Sequence, residues 1–539
     1  MKQFRVLWTL SICALAAFSF LVLASSQPAF AVLSPQTGSI SGICQYYGNL
    51  TGPYPMDVCA HTDPNGPPVD EGCTDIPFPG GNYTISGLPD DTYYVSCTVS
   101  LDGSGGAPED GDPVDMYDPD SDGDYEPVTV SGGEVKNVFI ALGQAYNQGR
   151  LIIFVDRDAT GGANDGTNWK DAYTQLPPAL GSADSALAGV EIWITDGVYK
   201  PTTGSTRAET FQLKNNVEIY GGFAGTEILR EQRILNKHTT ILSGEIGESE
   251  DEDNSYHVVD GSGVNNTAIL ADITIMDGYA KIIPPLAPSA NEDRGGGMLV
   301  VNGSPKVANV RFINNYAYLY GGGMYVGGSS SSVYIINSLF NNNIAGSMGG
   351  GLNVYNGAHV WIINGTFVYN ACNSGLPRGG GIQLWGGNGE DARVQNTILS
   401  NNTPQNLYCT VFNNTCIVNY GLVEGVDCGG FTCNNSLTSA PQFMDPDGPD
   451  GVSGNLDDDF HLLSGSPAID AGSNSIIVQD YADLDGDGNV TEQTPLDFDG
   501  WRRQIDFILK SDSGFGSAPI VDMGAFETPN YLFLPAIRK

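Results

Sequence analysis

Gly295-Gly296-Gly297-Met298, Gly321-Gly322-Gly323-Met324, Gly349-Gly350-Gly351-Leu352 and Gly379-Gly380-Gly381-Ile382 are four copies of one opening phrase. Each copy closes with Asn-x-x-Phe-x-x-Asn, Leu replacing Phe in the fourth. The central residues are Phe312, Phe340, Phe367 and Leu399. Asn309, Asn337, Asn364 and Asn396 lead the motif, and Asn315, Asn343, Asn370 and Asn402 trail it. The spacing drifts from roughly 26 to 32 residues, a solenoid period. Gly, Asn, Val and Ile dominate, which suits short strands joined by tight turns rather than helices. Such strands wind into a parallel β-helix with coils about 4.8 Å apart, so each Phe should lie on the Phe of the next coil. The two asparagine rows should form ladders at two turns, each amide bonding the next. Glycine at the third corner permits a sharp bend with positive φ.

Outward from the repeats, residues 148–290 read as the start of the same solenoid. Ile192-Trp193-Ile194, Thr210 to Leu213, Val217 to Tyr220 and Thr240 to Leu242 are strand-like. Trp169 to Leu180 has amphipathic spacing and suits a cap over the first coil, which otherwise presents bare strand edges. Pro177-Pro178 should break or restart that helix. Repeats continue to about residue 440, giving a rod on the order of 45 Å. Residues 37–145 read as a small β-sandwich, with alternating runs such as Ser39 to Cys44, Thr92 to Ser96 and Val138 to Leu142. An acidic module spans 441–530, and a short apolar tail with two terminal cations spans 531–539.

The chain has 539 residues, 70 of them glycine, with a formal net charge of −39. Residues 1–31 carry Lys2 and Arg5, an apolar run and Ala29-Phe30-Ala31, the pattern of a secretory signal. Its removal leaves 21 basic against 62 acidic residues, a net charge of −41. Such a surface repels nucleic acid. No later run of apolar residues is long enough for a transmembrane helix. Nine cysteines follow the signal, in clusters of four (Cys44, Cys59, Cys73, Cys97) and five (Cys372, Cys409, Cys416, Cys428, Cys433). Export makes disulfides plausible. Four cysteines allow three pairings, and the odd cluster leaves one thiol free or paired elsewhere.

Two families resemble these stretches. The phrases of residues 37–145 resemble the carboxypeptidase regulatory-like (prealbumin-like) modules of secreted proteins, which share a carbohydrate-binding-like fold. Related modules carry Lys–Asn links, but Lys136 is the only lysine of this segment and lies in its last strand, so disulfides are expected instead. Gly222 to Glu227 and the glycine and Phe-x-x-Asn repeats resemble secreted bacterial right-handed β-helix proteins with polymorphic-outer-membrane-protein-like repeats. Ser466 to Gly472 and Asp522 to Glu527 look like the choice-of-anchor-type module that ends such chains. The resemblance implies an all-β fold, a right-handed parallel β-helix preceded by a small β-sandwich. It implies no single activity, because one fold hosts many.

Three acidic runs have the spacing of calcium loops. Asp483, Asp485, Asp487 and Asn489 match the first positions of an EF-hand-like loop, and Asp118, Asp120, Asp122 and Asp124 match another. Asp445 to Asp459 is looser. Neither of the first two has a carboxylate at position 12, where Thr494 and Thr129 stand. The runs are structural calcium sites or solvated acidic turns. Arg294 and Arg378 each precede a glycine triplet and would share a corner about 14 Å apart, as corner residues bonding carbonyls or as contacts to a polymer. His359 reads as a surface histidine. The expected role is structural or adhesive at the cell surface, with polysaccharide or a surface glycan as ligand. The alternative is a calcium-dependent polysaccharide lyase or glycoside hydrolase, for which no cluster of carboxylates with a base is legible in the repeats. The tail at Tyr531 to Lys539 serves either as a recognition strand for an anchoring or sorting partner or as a cover for the last coil.

Overall fold

The computed structural model describes residues 37–529, apart from 47–54, 63–71, 78–79, 100–113, 117–126, 132, 143–145, 148–149, 184–188, 228–229, 236, 248–250, 283–290, 387–388, 411–413, 426–427, 429 and 487–488. The signal-like residues 1–31, the loop holding Asp118, Asp120, Asp122 and Asp124, Asp487 and the tail 531–539 lie outside the described residues.

Two sheets pack face to face at the N-terminus. Strand β1 (Thr37–Tyr46) lies between β4 (Gly80–Pro89), antiparallel, and β8 (Glu134–Leu142), parallel. The second sheet orders β3 (Cys73–Ile76), β2 (Met56–His61), β5 (Asp91–Val99) and β6 (Val114–Met116), with β7 (Val128–Val130) also on β5. Alternate residues of both sheets, among them Ile40, Val58, Ile85, Val95 and Ile140, meet in one core. Cys44–Cys97 ties one sheet to the other, and Cys59–Cys73 ties neighbouring strands.

The strands from Arg150 to Asn434 form a right-handed parallel β-helix. From Ile152 each rung pairs in parallel with the next, through Glu191, Glu218, Ile269 and Lys306 to Tyr334, Trp361, Arg393, Ile417 and Thr432. Two further faces complete the coil: a seven-stranded sheet from Phe211–Gln212 to Gln405–Cys409 and a four-stranded one from Tyr279–Ala280 to Ala371–Cys372. Phe312, Phe340 and Phe367 stack with ring centroids 4.4 Å apart, and Leu399 follows in register. The cap is shorter than its amphipathic run. Only Leu176–Ser182 is helical, and the prolines start it, since the first turn needs no amide donor. Leu176, Ala179 and Leu180 close the core at the first rung.

The triplets divide their labour. Gly321 has φ +65°, and Gly295 and Gly349 match it. A Cβ on Gly322 would lie 2.4 Å from the carbonyl oxygen of Ile344. The first glycine thus serves the bend, and the second admits the neighbouring coil.

The two asparagine rows differ. In the trailing row Asn343 uses its whole amide. Its Oδ1 accepts from the Asn315 backbone and side chain at 3.1 and 3.0 Å, and its Nδ2 donates to Asn370 Oδ1 and the Phe312 carbonyl, both at 2.9 Å. Asn370 passes the same pair of bonds to Asn402, and Asn402 passes it to Asn406. The leading residues Asn309, Asn337, Asn364 and Asn396 hold φ between 47° and 53°, a left-handed corner that asparagine tolerates. Only one amide contact links neighbours there, Asn364 Nδ2 to Asn337 Oδ1 at 3.4 Å. Asn309 donates instead to Asp272, Asn337 to the Leu496 carbonyl and Asn396 to the Ser473 carbonyl. Two of the four, Asn337 and Asn396, therefore bond to the C-terminal segment, while Asn309 and Asn364 bond to the same position of the preceding coil.

Asn343→Ala should destabilise the helix by about 1–3 kcal/mol, because it strands buried partners on two neighbouring coils. Asn402→Ala should cost a comparable amount, since Asn406 continues the row beyond it. Denaturant unfolding of both variants followed by circular dichroism checks this; unchanged midpoints would contradict it.

Candidate functional site

The C-terminal segment lies along the leading asparagines. Among the described residues of 441–529 there are one strand pair, Phe443–Asp445 with Asp459–Leu462, a single 3-10 turn at Asn474–Ile476 and a few isolated bridges, joined by turns. Ser473 exchanges two bonds with the Asn396 side chain, as a neighbouring strand would. Arg503 is almost fully buried and donates to Asn337 Oδ1 at 2.7 Å, to Glu527 Oε1 at 3.0 Å and to the Gly524 and Ala525 carbonyls. Asp522 Oδ1 accepts from the Asp470 amide at 2.7 Å. The Gly524 amide donates to the Asn396 carbonyl and the Ala525 amide to Thr366 Oγ1, so the Asp522 to Glu527 phrase is a docking strip.

Where that cover ends, a cleft of about 300 Å3 opens. One wall is the outer face of successive coils: Thr240, Asp272, Thr274, Asn309 and Arg311. The other is the loop Leu456 to His461, with Phe498 and Phe526 behind it. Three features set its chemistry. First, Arg311 is nine-tenths buried; among the contacts described, its guanidinium has one long bond, 3.4 Å to the Leu456 carbonyl, and lies 5.2 Å from the Phe498 ring centroid. Burial pulls it below its usual pKa, while the charges of Asp499, Asp458 and Asp459 draw it back up. Second, buried acceptors are spare: Asn309 Oδ1 and Asp458 Oδ1 have no partner. Asp458 Oδ2 accepts from Asn341 Nδ2 and the Gly454 amide at 2.6 and 2.7 Å, and burial raises its pKa. Third, His461 is clamped, Nδ1 to Asp459 and Nε2 to Asp499, both at 2.6 Å. Burial alone would lower its pKa, but the two carboxylates outweigh that and push it up to about 10. His461 is a fixed imidazolium. Buried donors, buried acceptors and aromatic walls together suit a polyhydroxylated ligand.

The acidic run at 483 is arranged differently from an EF-hand loop. Asp480, Asp483 and Asp485 place carboxylate oxygens within 4.8 Å of one another. Asp483 is ion-paired with the buried guanidinium of Arg230, which also holds Glu191 at 2.9 Å. Asn489 accepts from Thr491 and donates to Glu492. Asp457, Asp458 and Asp459 of the third run belong to the cleft. Arg294 pairs with Asp293 and packs over Tyr320 and Tyr325, while Arg378 sits 4.1 Å from the Trp385 ring centroid. His359 lies 3.9 Å from Asp391.

Sequence reasoning missed Arg311, His461 and Asp499. Arg311 had a signal: it stands one residue before Phe312, so strand alternation points it outward from a repeat face otherwise poor in charge. His461 and Asp499 had none, since 38 residues separate them and only the docking brings them together.

No family model and no curated protein matches the chain. Among solved structures it is similar to pectate lyase Pel9A, at 14% identity over 70% of this chain and 96% of that one, with a TM-score of 0.37. It is also similar to the family 28 exopolygalacturonase of Yersinia enterocolitica, at 13% identity over 67% and 66% of the two chains, with a TM-score of 0.17. Likenesses this remote say nothing of what the cleft binds. Fold and site together define the class: a right-handed β-helix protein with a polar cleft under its C-terminal cover.

Burial pushes Asp497 up to about 6 and Asp522 up to about 7, and holds Glu527 well above the usual range. In the unfolded chain these acids ionise near their ordinary values, close to pH 4. The contribution of Asp497 and Asp522 to stability is full below that pH and is lost as pH rises through 6 to 7, and that of Glu527 is likewise lost only well above its ordinary range. That of His461 is full below about 6.5 and is lost towards 10. Unfolding midpoints should therefore be higher at pH 5 than at pH 8, by several degrees. A flat profile between those values would contradict the buried-acid arrangement.

Proposed function

We propose that the protein is exported and acts at the cell surface as a structural or adhesive β-helix that binds glycan in the cleft beside Arg311. One observation carries this reading: Arg311, Asn309 and Asp458 leave a donor group and two acceptors underused in a cleft walled by Phe460, Phe498 and Phe526. A sugar offers hydroxyls to both kinds of group and a C–H face to the rings. The four disulfides suit an oxidising compartment. No helix among the described residues is long and apolar enough to cross a membrane. The net charge of −39 disfavours nucleic acid. The tail 531–539 is the segment to test for an anchoring or sorting partner.

The test is calorimetry of the full protein against a panel of polysaccharides, with and without calcium. Arg311→Met keeps the apolar stem, and Asp458→Asn keeps the shape. Each should weaken the bound polysaccharide about tenfold or more, which is ~1.4 kcal/mol. Unchanged affinity in both variants, or no polysaccharide bound by the unaltered protein, would refute the reading.

One observation favours a second reading, cleavage of the polysaccharide. Asp458 keeps its proton to higher pH through burial and lies beside Asp457 in the cleft wall, the pairing of an acid with a base. New reducing ends or unsaturated products appearing on incubation, and absent with Asp458→Asn, would separate cleavage from binding.

A structural calcium ion at the Asp483 loop belongs to the same proposal. The convergence of Asp480, Asp483 and Asp485 supports it, and Arg230 competes for Asp483. Chelation should lower the melting temperature, and Asp485→Ala should do so without chelator. If neither treatment moves the melt, Arg230 alone balances that corner.

A further inference from the structure

Asp470 is held from every side. It is fully buried, and its φ of 50° places it in the left-handed region. Its amide donates to Asp522 Oδ1 at 2.7 Å, and its carbonyl accepts from the Ser513 and Gly514 amides at 2.9 and 3.0 Å. Its side chain is served less well. Oδ1 takes one long bond, 3.5 Å from the Phe507 amide, and Oδ2 has no partner. A buried carboxylate oxygen left unpaired is costly, and an exact main-chain setting does nothing to relieve it.

Two more carboxylates reach the same point from outside. Asp506 and Asp512 are exposed, on a loop pinned at one end by the buried Phe507 and at the other by Ser513. One oxygen from each of Asp470, Asp506 and Asp512 lies within 4.8 Å of the others. Oxygens bound to one calcium ion at 2.3–2.6 Å lie at most about 5 Å apart. A small rotation of the two exposed side chains therefore brings all three onto one ion. Lys510, the cation of this loop, donates to the Ser466 carbonyl instead.

We propose that Asp470, Asp506 and Asp512 form a calcium site that fastens the 506–512 loop to the Asp470 corner. The unpaired Oδ2 of Asp470 separates this group from an ordinary exposed acidic cluster, because it leaves one carboxylate of the three fully buried with a ligand atom to spare. The donor set is all oxygen, with no imidazole or thiol in it, which selects a hard cation over zinc. Two of the three ligands are on an exposed loop, where water completes the shell. That irregular shell suits calcium better than magnesium, which demands near-ideal octahedral geometry. The site shares no residue with the Asp480, Asp483 and Asp485 corner, so it stands or falls independently of calcium there.

The test uses the full-length protein, stripped with chelator and titrated by calorimetry with calcium alone. Three forms are compared: the unaltered chain, the double variant Asp506→Asn with Asp512→Asn, and Asp485→Asn as the control for the other corner. Both substituted residues of the double variant are exposed, so its fold is retained, which circular dichroism verifies in the absence of calcium. The unaltered protein should bind with a dissociation constant on the order of 10⁻⁴–10⁻³ M, the range of extracellular modules. The double variant should lose one equivalent of calcium or weaken it at least tenfold, while Asp485→Asn retains that equivalent. Three results would overturn the proposal: no calcium bound by the unaltered protein up to about 10 mM, equal binding by the double variant, or a loss confined to Asp485→Asn.

Discussion

The solenoid depends on one side chain repeated at one corner. A trailing asparagine such as Asn343 has two acceptor sites and two protons, and all four are used, two towards the preceding coil's asparagine, one towards the next and one towards the Phe312 carbonyl. Backbone pairing alone would break at a corner, where amides and carbonyls splay away from the coil axis. The amide side chain carries the pairing round the bend, and it is buried, so an unpaired alternative is penalised. The same bonds set the spacing at which Phe312, Phe340 and Phe367 stack. Register, core and corner are one constraint seen from three sides.

At the opposite corner the left-handed asparagines do other work. Their φ turns the chain, and residues 473–527 take up the amides of two of them, Asn337 and Asn396. The C-terminal segment has little regular structure of its own. Its apolar residues share cores with the coils, Ala468 and Ile469 with Ile398 and Leu422, and Phe460 and Phe526 with Leu339 and Val368. It forms a cover laid on the surface of the coils. The cleft exists because the cover stops short of Asn309 and Arg311, leaving polar groups of the coil face opposite polar groups of the loop.

That cover also concentrates acid. Asp497, Asp522 and Glu527 are buried around one guanidinium, Arg503, which bonds Glu527 directly and whose charge lowers Asp497. Desolvation outweighs that attraction, so the carboxyl groups hold protons to unusually high pH. A chain this acidic can bury carboxyl groups only by neutralising them, through protons, through Arg230 and Arg503, or through a bound cation.

The repeats by themselves determined the coil, the stacked Phe row, the trailing amide ladder and the turn glycines, because each depends on residues at a fixed period and local geometry repeats with it. Arg311 carried a signal that went unread there, its place one residue before the inward Phe312. What the sequence could not decide was anything resting on one contact between distant segments. Its leading asparagines have the same spacing as the trailing ones, yet only the docked cover shows that Asn337 and Asn396 bond to Leu496, Arg503 and Ser473 instead of chiefly to each other. Asp483 reads as the start of an ion loop until Arg230, 253 residues away in the chain, is seen against it. Asp470 reads only as part of the Ser466 to Gly472 phrase until Asp506 and Asp512 come round beside it. Periodic patterns declare the partners they repeat with, whereas a cleft or an ion site is made by single side chains whose partners tertiary packing alone selects.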